Sequence, residues 1–166
     1  MNDSIFAQAF AKELEAETTS TQKCLERIPE TLFGWKPHEK SMNLGYLAQL
    51  VAEIPLWISH MITKGDIDFV TFQHIQVNTT QDLVDHFKEN VAGAKEALLN
   101  VKDGDLAEPF HLKNNGQVLF TSTKKAMVES NINHMVHHRG QLTVYMRLND
   151  IAVPSIYGPS ADDRNF

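Results

Sequence analysis

The chain has 166 residues, of which 42% are hydrophobic and 22% charged, a composition typical of globular proteins with a buried core. Its length suits one domain and no linker or repeat divides it, so residues 1–166 are predicted to form a single domain. The net charge of -6, with basic residues scattered along the chain, argues against a nucleic-acid partner. Cys24 is the only cysteine, which excludes an intrachain disulfide and a zinc site built from several thiolates.

The N-terminal segment predicts neither export nor membrane attachment. Residues 1–17 carry an acidic side chain at position 3 and no apolar block, unlike a signal peptide. No segment of the chain approaches the roughly 20 apolar residues needed to cross a bilayer. We therefore expect a cytoplasmic protein without a membrane partner.

Four segments with helical periodicity follow one another along the chain. Pro29 ends the first, and Pro55 is expected to kink the second because it lacks a backbone N–H. Capping residues around Thr79 open the third, after a long connection over residues 65–79. The predicted bounds are residues 4–28, 41 or 43 to 63, 80–101 and 123–149.

The segment before the fourth helix holds a hairpin signal, Asn115-Gly116, flanked by short apolar and polar alternation. It predicts a small hairpin or an extended loop. The C-terminal tail contains prolines but also Val153, Ile156 and Tyr157, so part of it is expected to pack on the helices. The predicted fold class is all-α, a four-helix bundle with a small hairpin or loop before the last helix and a packed irregular tail.

The fourth helix carries His134, His137 and His138 within five positions. At 100° per residue, His138 lies about 40° and Gln141 about 20° from His134, so these side chains share a face. His134 and His138 are predicted to face the bundle interior, with His137 at the edge, whereas Arg139 is expected to bond the tail or a neighbouring helix. The opposite, solvent-facing side is predicted to hold Glu129, Asn133, Gly140 and Arg147.

Histidines at i and i+4 direct their ring nitrogens to a common point, a spacing that divalent metals use. The alternative is a buried pair bonded to Ser, Glu or water, which satisfies the nitrogens without a metal. A metal site usually needs a third protein ligand. On the second helix, Leu50 is predicted at the centre of the inward stripe, beside Trp57, and Glu53 is the only carboxylate near it.

The last helix and the tail carry a specific pattern, a His-x-x-x-His pair followed at once by Arg-Gly-Gln and later by PSIYGPSAD. This pattern resembles the C-terminal signature of the DinB/YfiT-like superfamily, and NLGYLAQLVAEIPLW resembles the family's second helix. Length and helix number agree, so the resemblance covers essentially the whole chain. It implies a four-helix bundle, commonly a homodimer, with one divalent metal held by three histidines.

In the resemblance, His134 and His138 correspond to two of the metal ligands, and the position of the third is occupied here by Leu50. A three-histidine site therefore cannot form. A metal such as Zn, Ni, Mn or Fe would be held weakly or incompletely, with Glu53 as the candidate third ligand. The alternative third ligands are histidines from loops: His38, His74 and His111.

The resemblance leaves three functional alternatives. One is a metal-dependent enzyme of the thiol-transferase or hydrolase type, acting on a small-molecule or thiol substrate. Another is a metal-free protein that binds a small molecule in the same bundle cavity, and the last is a dimeric interaction protein. The predicted cavity is lined by Leu50, Glu53, Trp57, His134, His138 and Tyr145.

Overall fold

Four long helices and three short strands make up the computed structural model, which describes residues 2–165. The helical bundle predicted from the sequence is confirmed, and the helix bounds agree closely with those predicted. None of these helices is both long enough and apolar enough to span a bilayer, as judged over the described residues. The elements are α1 (Asp3–Leu25), α2 (Leu44–Thr63), β1 (Asp66–Asp68), α3 (Thr80–Leu99), β2 (Pro109–Asn114), β3 (Gln117–Thr123) and α4 (Lys124–Leu148).

Side-chain caps determine where three of the helices begin. Asn43 accepts a hydrogen bond from the Tyr46 N–H at the start of α2, and Thr123 caps α4 in the same way. Thr79 and Asp82 form a reciprocal capping box at the start of α3. Because each cap satisfies backbone N–H groups that have no partner within the helix, the helix starts can be predicted from a few neighbouring residues.

The helix α2 lies at the centre of the bundle and packs against both α3 and α4, while α1 packs on α3 and α4. One apolar face of α2 is completely buried in this core and contains Leu47, Val51, Ile54 and Ile58. Pro55 also lies within this helix. Burial of such side chains contributes about 1.5 to 3 kcal/mol each to folding, which makes α2 the main organising element.

The three strands form one small sheet in the order β1-β2-β3. β2 and β3 are antiparallel and are joined at Asn115 and Gly116, which both have positive φ, as a tight hairpin requires. β1 pairs with β2 in parallel, with Ile67 opposite Leu112. This third strand lies in residues 65–79, which the sequence predicted only as a connection, because three residues are too few to show a strand periodicity.

The C-terminal tail packs against the bundle, as predicted. Val153 and Ile156 contact the main core. Asp162 forms an ion pair with Arg147 of α4 at 2.5 Å and accepts a hydrogen bond from the Val153 N–H. The tail is therefore held by side-chain contacts, although it has no regular secondary structure.

Candidate functional site

The two histidines of the His-x-x-x-His pair contact each other on α4. The Nε2 atoms of His134 and His138 are 2.8 Å apart, and Nδ1 of His138 lies 2.8 Å from Oε1 of Gln141. Both imidazoles are half-buried, whereas His137 is exposed. The structure thus brings the predicted pair together and leaves the third histidine in solvent.

The pair lies at the margin of the buried face of α4, not at its centre as the helical wheel predicted. The residues predicted to face solvent, Glu129, Asn133, Gly140 and Arg147, are indeed exposed. The face that packs into the core is rotated by about 100° from His134. It consists of Val128, Ile132, Met135, Leu142 and Met146. The wheel gives relative angles within one helix, but the neighbouring helices decide which angle is most buried.

Burial is the main influence on the charge of the pair. Loss of hydration lowers the pKa of His134, and the neighbouring His138 lowers it further. Burial also lowers the pKa of His138, an effect that its hydrogen bond to Gln141 partly opposes. Both shifts favour the neutral form of the two rings.

A second polar cluster surrounds Glu53, which is 2% exposed on α2. Its carboxylate accepts hydrogen bonds from Nε1 of Trp57 at 2.9 Å, Nδ1 of His74 at 2.7 Å and the backbone N–H of Ile75 at 3.0 Å. The Trp57 ring also packs beside His134, with 5.7 Å between the ring centroids. Trp57 therefore contacts both the carboxylate cluster and the histidine pair.

The side chains that could act as metal ligands do not match the three-histidine site that the resemblance implies. Leu50 is half-buried at the side of α2's core stripe and offers no ligand atom. Glu53, the candidate third ligand, is engaged by three hydrogen-bond donors. Among residues 2–165, no group of three or more His, Cys, Asp or Glu side chains is arranged to hold a metal ion. A weaker site at His134 and His138 stays a prediction.

The loop histidines considered as alternative ligands have other surroundings. His38 is exposed and accepts a hydrogen bond from the Lys40 N–H. Nδ1 of His111 lies 2.9 Å from the Thr121 hydroxyl, across the β2–β3 pair. His74 alone among them joins the candidate site, through Glu53.

An apolar cavity of about 340 Å³ lies between α2, α4 and the sheet. Trp57 and His134 line it, as the sequence predicted. The predicted lining residues Leu50, Glu53, His138 and Tyr145 do not, and Tyr145 instead packs edge-on against Trp35. The remaining wall consists of Met61, Ile67, Phe69, Phe72, His74, Phe110, Leu112, Met127, Ser130 and Asn131.

The cavity lies closer to the sheet than the cavity predicted from the sequence, because β1 and β2 form one of its walls. Ile67 of β1 and Phe110 of β2 are buried there and pack with Met61 of α2. The sequence contained one signal for this wall, the alternation of apolar residues around Phe110 and Leu112. The pairing of β1 with β2 could not be predicted from that signal.

Comparison with known proteins agrees with this architecture. The model of the DinB family matches residues 1–165. The uncharacterized protein YrdA of Bacillus subtilis is 26% identical over 156 residues, which cover 93% of this chain and 89% of that protein. The crystal structure of a DinB-like protein, YjoA, from Bacillus subtilis is similar in fold, with a TM-score of 0.68 and 21% identity over 94% of this chain and 99% of that one.

A DinB-like protein from Bacillus cereus gives the same TM-score of 0.68 at 24% identity, covering 90% of this chain and 97% of that one. A structure from Exiguobacterium sibiricum, described as a putative member of the DinB family, has a TM-score of 0.66 at 16% identity. It covers 87% of this chain and 92% of the other. At these identities the solved structures establish a shared fold alone.

Proposed function

We propose, since the chain belongs to the DinB family, that its function is to bind a small, largely apolar molecule in the cavity between α2, α4 and the sheet. The observation that carries this proposal is the cavity itself. Its volume of about 340 Å³ falls in the range of small-molecule sites, and aromatic side chains such as Trp57, Phe72 and Phe110 form much of its wall. An apolar ligand would gain about 25 cal/mol for each Å² removed from water.

The polar groups beside the cavity favour its interpretation as a ligand-binding site and not as a gap left by imperfect packing. His134 and His74 both line it, and each is held by a hydrogen bond to another side chain. A mostly apolar pocket with a few oriented polar groups is the usual form of a ligand site. His134 therefore keeps a role in this proposal without a third metal ligand.

The test is binding of 2-methylnaphthalene, an apolar aromatic probe, measured by isothermal titration calorimetry. We expect saturable binding at one site. Ser130→Trp places a bulky ring at an exposed position of the cavity wall and should weaken binding by about tenfold or more. Glu129→Trp, one residue earlier on the exposed face, is the matched control and should leave the affinity unchanged. Absence of binding, or equal binding by both variants, would contradict the proposal.

A divalent metal at His134 and His138 is the second candidate. It is favoured by the 2.8 Å separation of their Nε2 atoms, because a divalent ion could replace the proton shared by the two nitrogens and bind both of them. Zn, Ni, Mn or Fe would then act as a Lewis acid, as a thiol-transferase-type enzyme requires. The residues present do not complete the three-histidine set, because position 50 is Leu.

The homodimer implied by the family resemblance is also kept as a prediction. Its measurement is the molar mass in solution by light scattering during gel filtration. A mass of two chains is expected at micromolar concentration. A monomer at all concentrations would remove the dimeric interaction protein from the functional alternatives.

A further inference from the structure

Four polar side chains, His74, Ser130, Asn131 and His134, interrupt the apolar wall of the cavity. Ser130 is exposed, and its hydroxyl can both donate and accept, so it does not select between donors and acceptors. Each of the other three has a limited number of donor and acceptor atoms, and the hydrogen bonds within the protein occupy some of them. The atoms left over can bond to water or to a ligand that replaces it. Their donor or acceptor character determines which chemistry the cavity can recognise.

For His74, the partner of Nδ1 determines the position of the ring proton. The Glu53 carboxylate can only accept, and it also receives the N–H groups of Trp57 and Ile75. Nδ1 of His74 therefore carries the proton that it donates to Glu53 at 2.7 Å. In the neutral ring, Nε2 is then an acceptor, and no residue among 2–165 provides it with a hydrogen bond.

For Asn131, both amide protons are already used within the protein. Nδ2 donates to the Met127 carbonyl at 2.8 Å and to the Met61 sulfur at 3.5 Å. A backbone carbonyl cannot donate, so this contact sets the orientation of the amide group. Asn131 is 5% exposed. Its Oδ1 atom is left as an acceptor, without a hydrogen-bond donor in the described part of the chain.

For His134, a chain of hydrogen bonds also leaves one ring nitrogen as a free acceptor. Oε1 of Gln141 accepts from Nδ1 of His138, so the neutral His138 ring has an acceptor at Nε2. His134 then donates from its own Nε2 across 2.8 Å. Nδ1 of His134 carries no proton and is the third free acceptor.

We infer that the cavity selects neutral aromatic molecules with a hydrogen-bond donor, namely aromatic alcohols and arylamines. A hydroxyl or amine group can donate to the free acceptors, while the aromatic body fills the space beside Trp57 and Phe110. A carboxylate would place its lone pairs against those acceptors, and a hydrocarbon would displace water from the Asn131 oxygen without offering it a donor. This inference rests on the proposed function, because it specifies the ligand class of the same cavity.

The experiment compares three probes that share a naphthalene body: 2-naphthol, 2-methylnaphthalene and 2-naphthoate. Titration calorimetry is done at pH 8, above the pKa of about 6.5 of an ordinary imidazole, with a chelator to remove metal ions. We expect 2-naphthol to bind at least about tenfold more tightly than 2-methylnaphthalene, because its hydroxyl donates to one of the free acceptors once water is displaced. The anionic 2-naphthoate should bind most weakly of the three.

Two variants, His74→Phe and Asn131→Leu, each remove one of the three free acceptors while keeping the shape of the wall. Each should reduce the preference for 2-naphthol by about threefold or more, while the affinity for 2-methylnaphthalene stays within about twofold. The retained affinity for 2-methylnaphthalene also shows that the variant is folded with its cavity intact. His137→Phe, which changes an exposed histidine outside the wall, is the matched control and should leave the preference unchanged.

The outcomes separate this inference from the function on which it rests. Equal affinities of the wild-type protein for 2-naphthol and 2-methylnaphthalene would overturn the donor requirement and leave the binding function standing. Tightest binding of 2-naphthoate would also overturn it, because the site would then select anions. An unchanged preference in both wall variants would overturn the roles of His74 and Asn131 as the acceptors that select the ligand. If none of the probes binds, both the inference and the binding function are rejected.

Discussion

Arg139 of α4 forms a buried ion pair with Glu17 of α1, with Nη1 and Oε2 2.5 Å apart. Its guanidinium also donates to the hydroxyls of Ser20, Thr21 and Tyr157. Tyr157, in the C-terminal tail, donates in turn to Glu17. One fully buried side chain thus joins α4 to α1 and to the tail. The sequence prediction that Arg139 bonds the tail or a neighbouring helix is confirmed for both partners.

Replacing Arg139 by Gln should destabilise the protein by about 3 to 5 kcal/mol, because Glu17 would be left buried without its counter-charge. Tyr157→Phe removes only the hydroxyl contacts and should lower the free energy of unfolding by about 1 kcal/mol. Arg147→Gln, in the exposed pair with Asp162, is the control and should have a much smaller effect than Arg139→Gln. Urea denaturation measures all three, and equal losses for the two arginine variants would contradict the assignment.

The same Gly→Ala substitution should have opposite effects at Gly116 and Gly140. Gly116 has φ of +78° in the hairpin, so alanine there should cost about 1 kcal/mol or more in backbone strain. Gly140 lies exposed within α4, and a Cβ there meets no other atom within 4 Å, so alanine should stabilise the helix by about 0.5 to 1 kcal/mol. Thermal unfolding of both variants checks the signs. A stabilising Gly116→Ala would be inconsistent with the observed turn.

Cys24 should be chemically inert in the folded protein. Burial raises the pKa of its thiol from the ordinary 9.0 to about 11, although Arg139 and Arg27 partly oppose the shift. The thiolate is the reactive form, so a disulfide reagent at pH 8 should label Cys24 only after unfolding. Rapid labelling of the native protein would contradict the burial of this residue.

The shifted pKa of Cys24 also predicts a pH dependence of stability. The folded-state pKa is the higher one, so the stabilisation is complete below pH 9 and is lost as the pH rises towards 11. Relative to Cys24→Ala, the wild-type free energy of unfolding should fall by about 2 kcal/mol over that interval. The Cys24→Ala variant is the control, because it shares every other titrating group with the wild-type protein. A pH-independent difference between the two proteins would refute the prediction.

Metal affinity should respond to position 50. Protein purified without chelator and analysed by mass spectrometry for Zn, Ni, Mn and Fe should contain less than one ion per chain, because two histidines are a poor ligand set. Leu50→His should raise the affinity by about tenfold or more if this position corresponds to the family's third ligand. Tyr46→His, at an exposed position of the same helix, is the matched control.

Two results would alter this view of the metal site. A full equivalent of metal in the wild-type protein, lost in His134→Ala, would establish a site that does not need a histidine at position 50. No gain of affinity in Leu50→His would instead reject the correspondence between Leu50 and the third ligand.

The features that could be predicted correctly from the sequence depend on residues close together in the chain. The capping box at Thr79 and Asp82 marks the start of α3, and Asn115-Gly116 marks the hairpin. The i,i+4 spacing brings His134 and His138 together through helix geometry alone. Each of these contacts spans a few residues, so the local backbone conformation is enough to form it. The residue at position 50 is equally plain from the sequence, and its correspondence to the family's third ligand stays a prediction.

The way in which these local elements face one another could not be predicted from the sequence and is known from the fold. The contact between His74 and Glu53 joins a loop to α2, and the pairing of Ile67 with Leu112 joins segments far apart in the chain. Such contacts depend on the packing of the whole bundle, because no local pattern sets the angle between two elements or the course of a loop. For that reason the cavity lies beside the sheet and not beside Leu50 and Tyr145, and the polar atoms available to a ligand are known only from the fold.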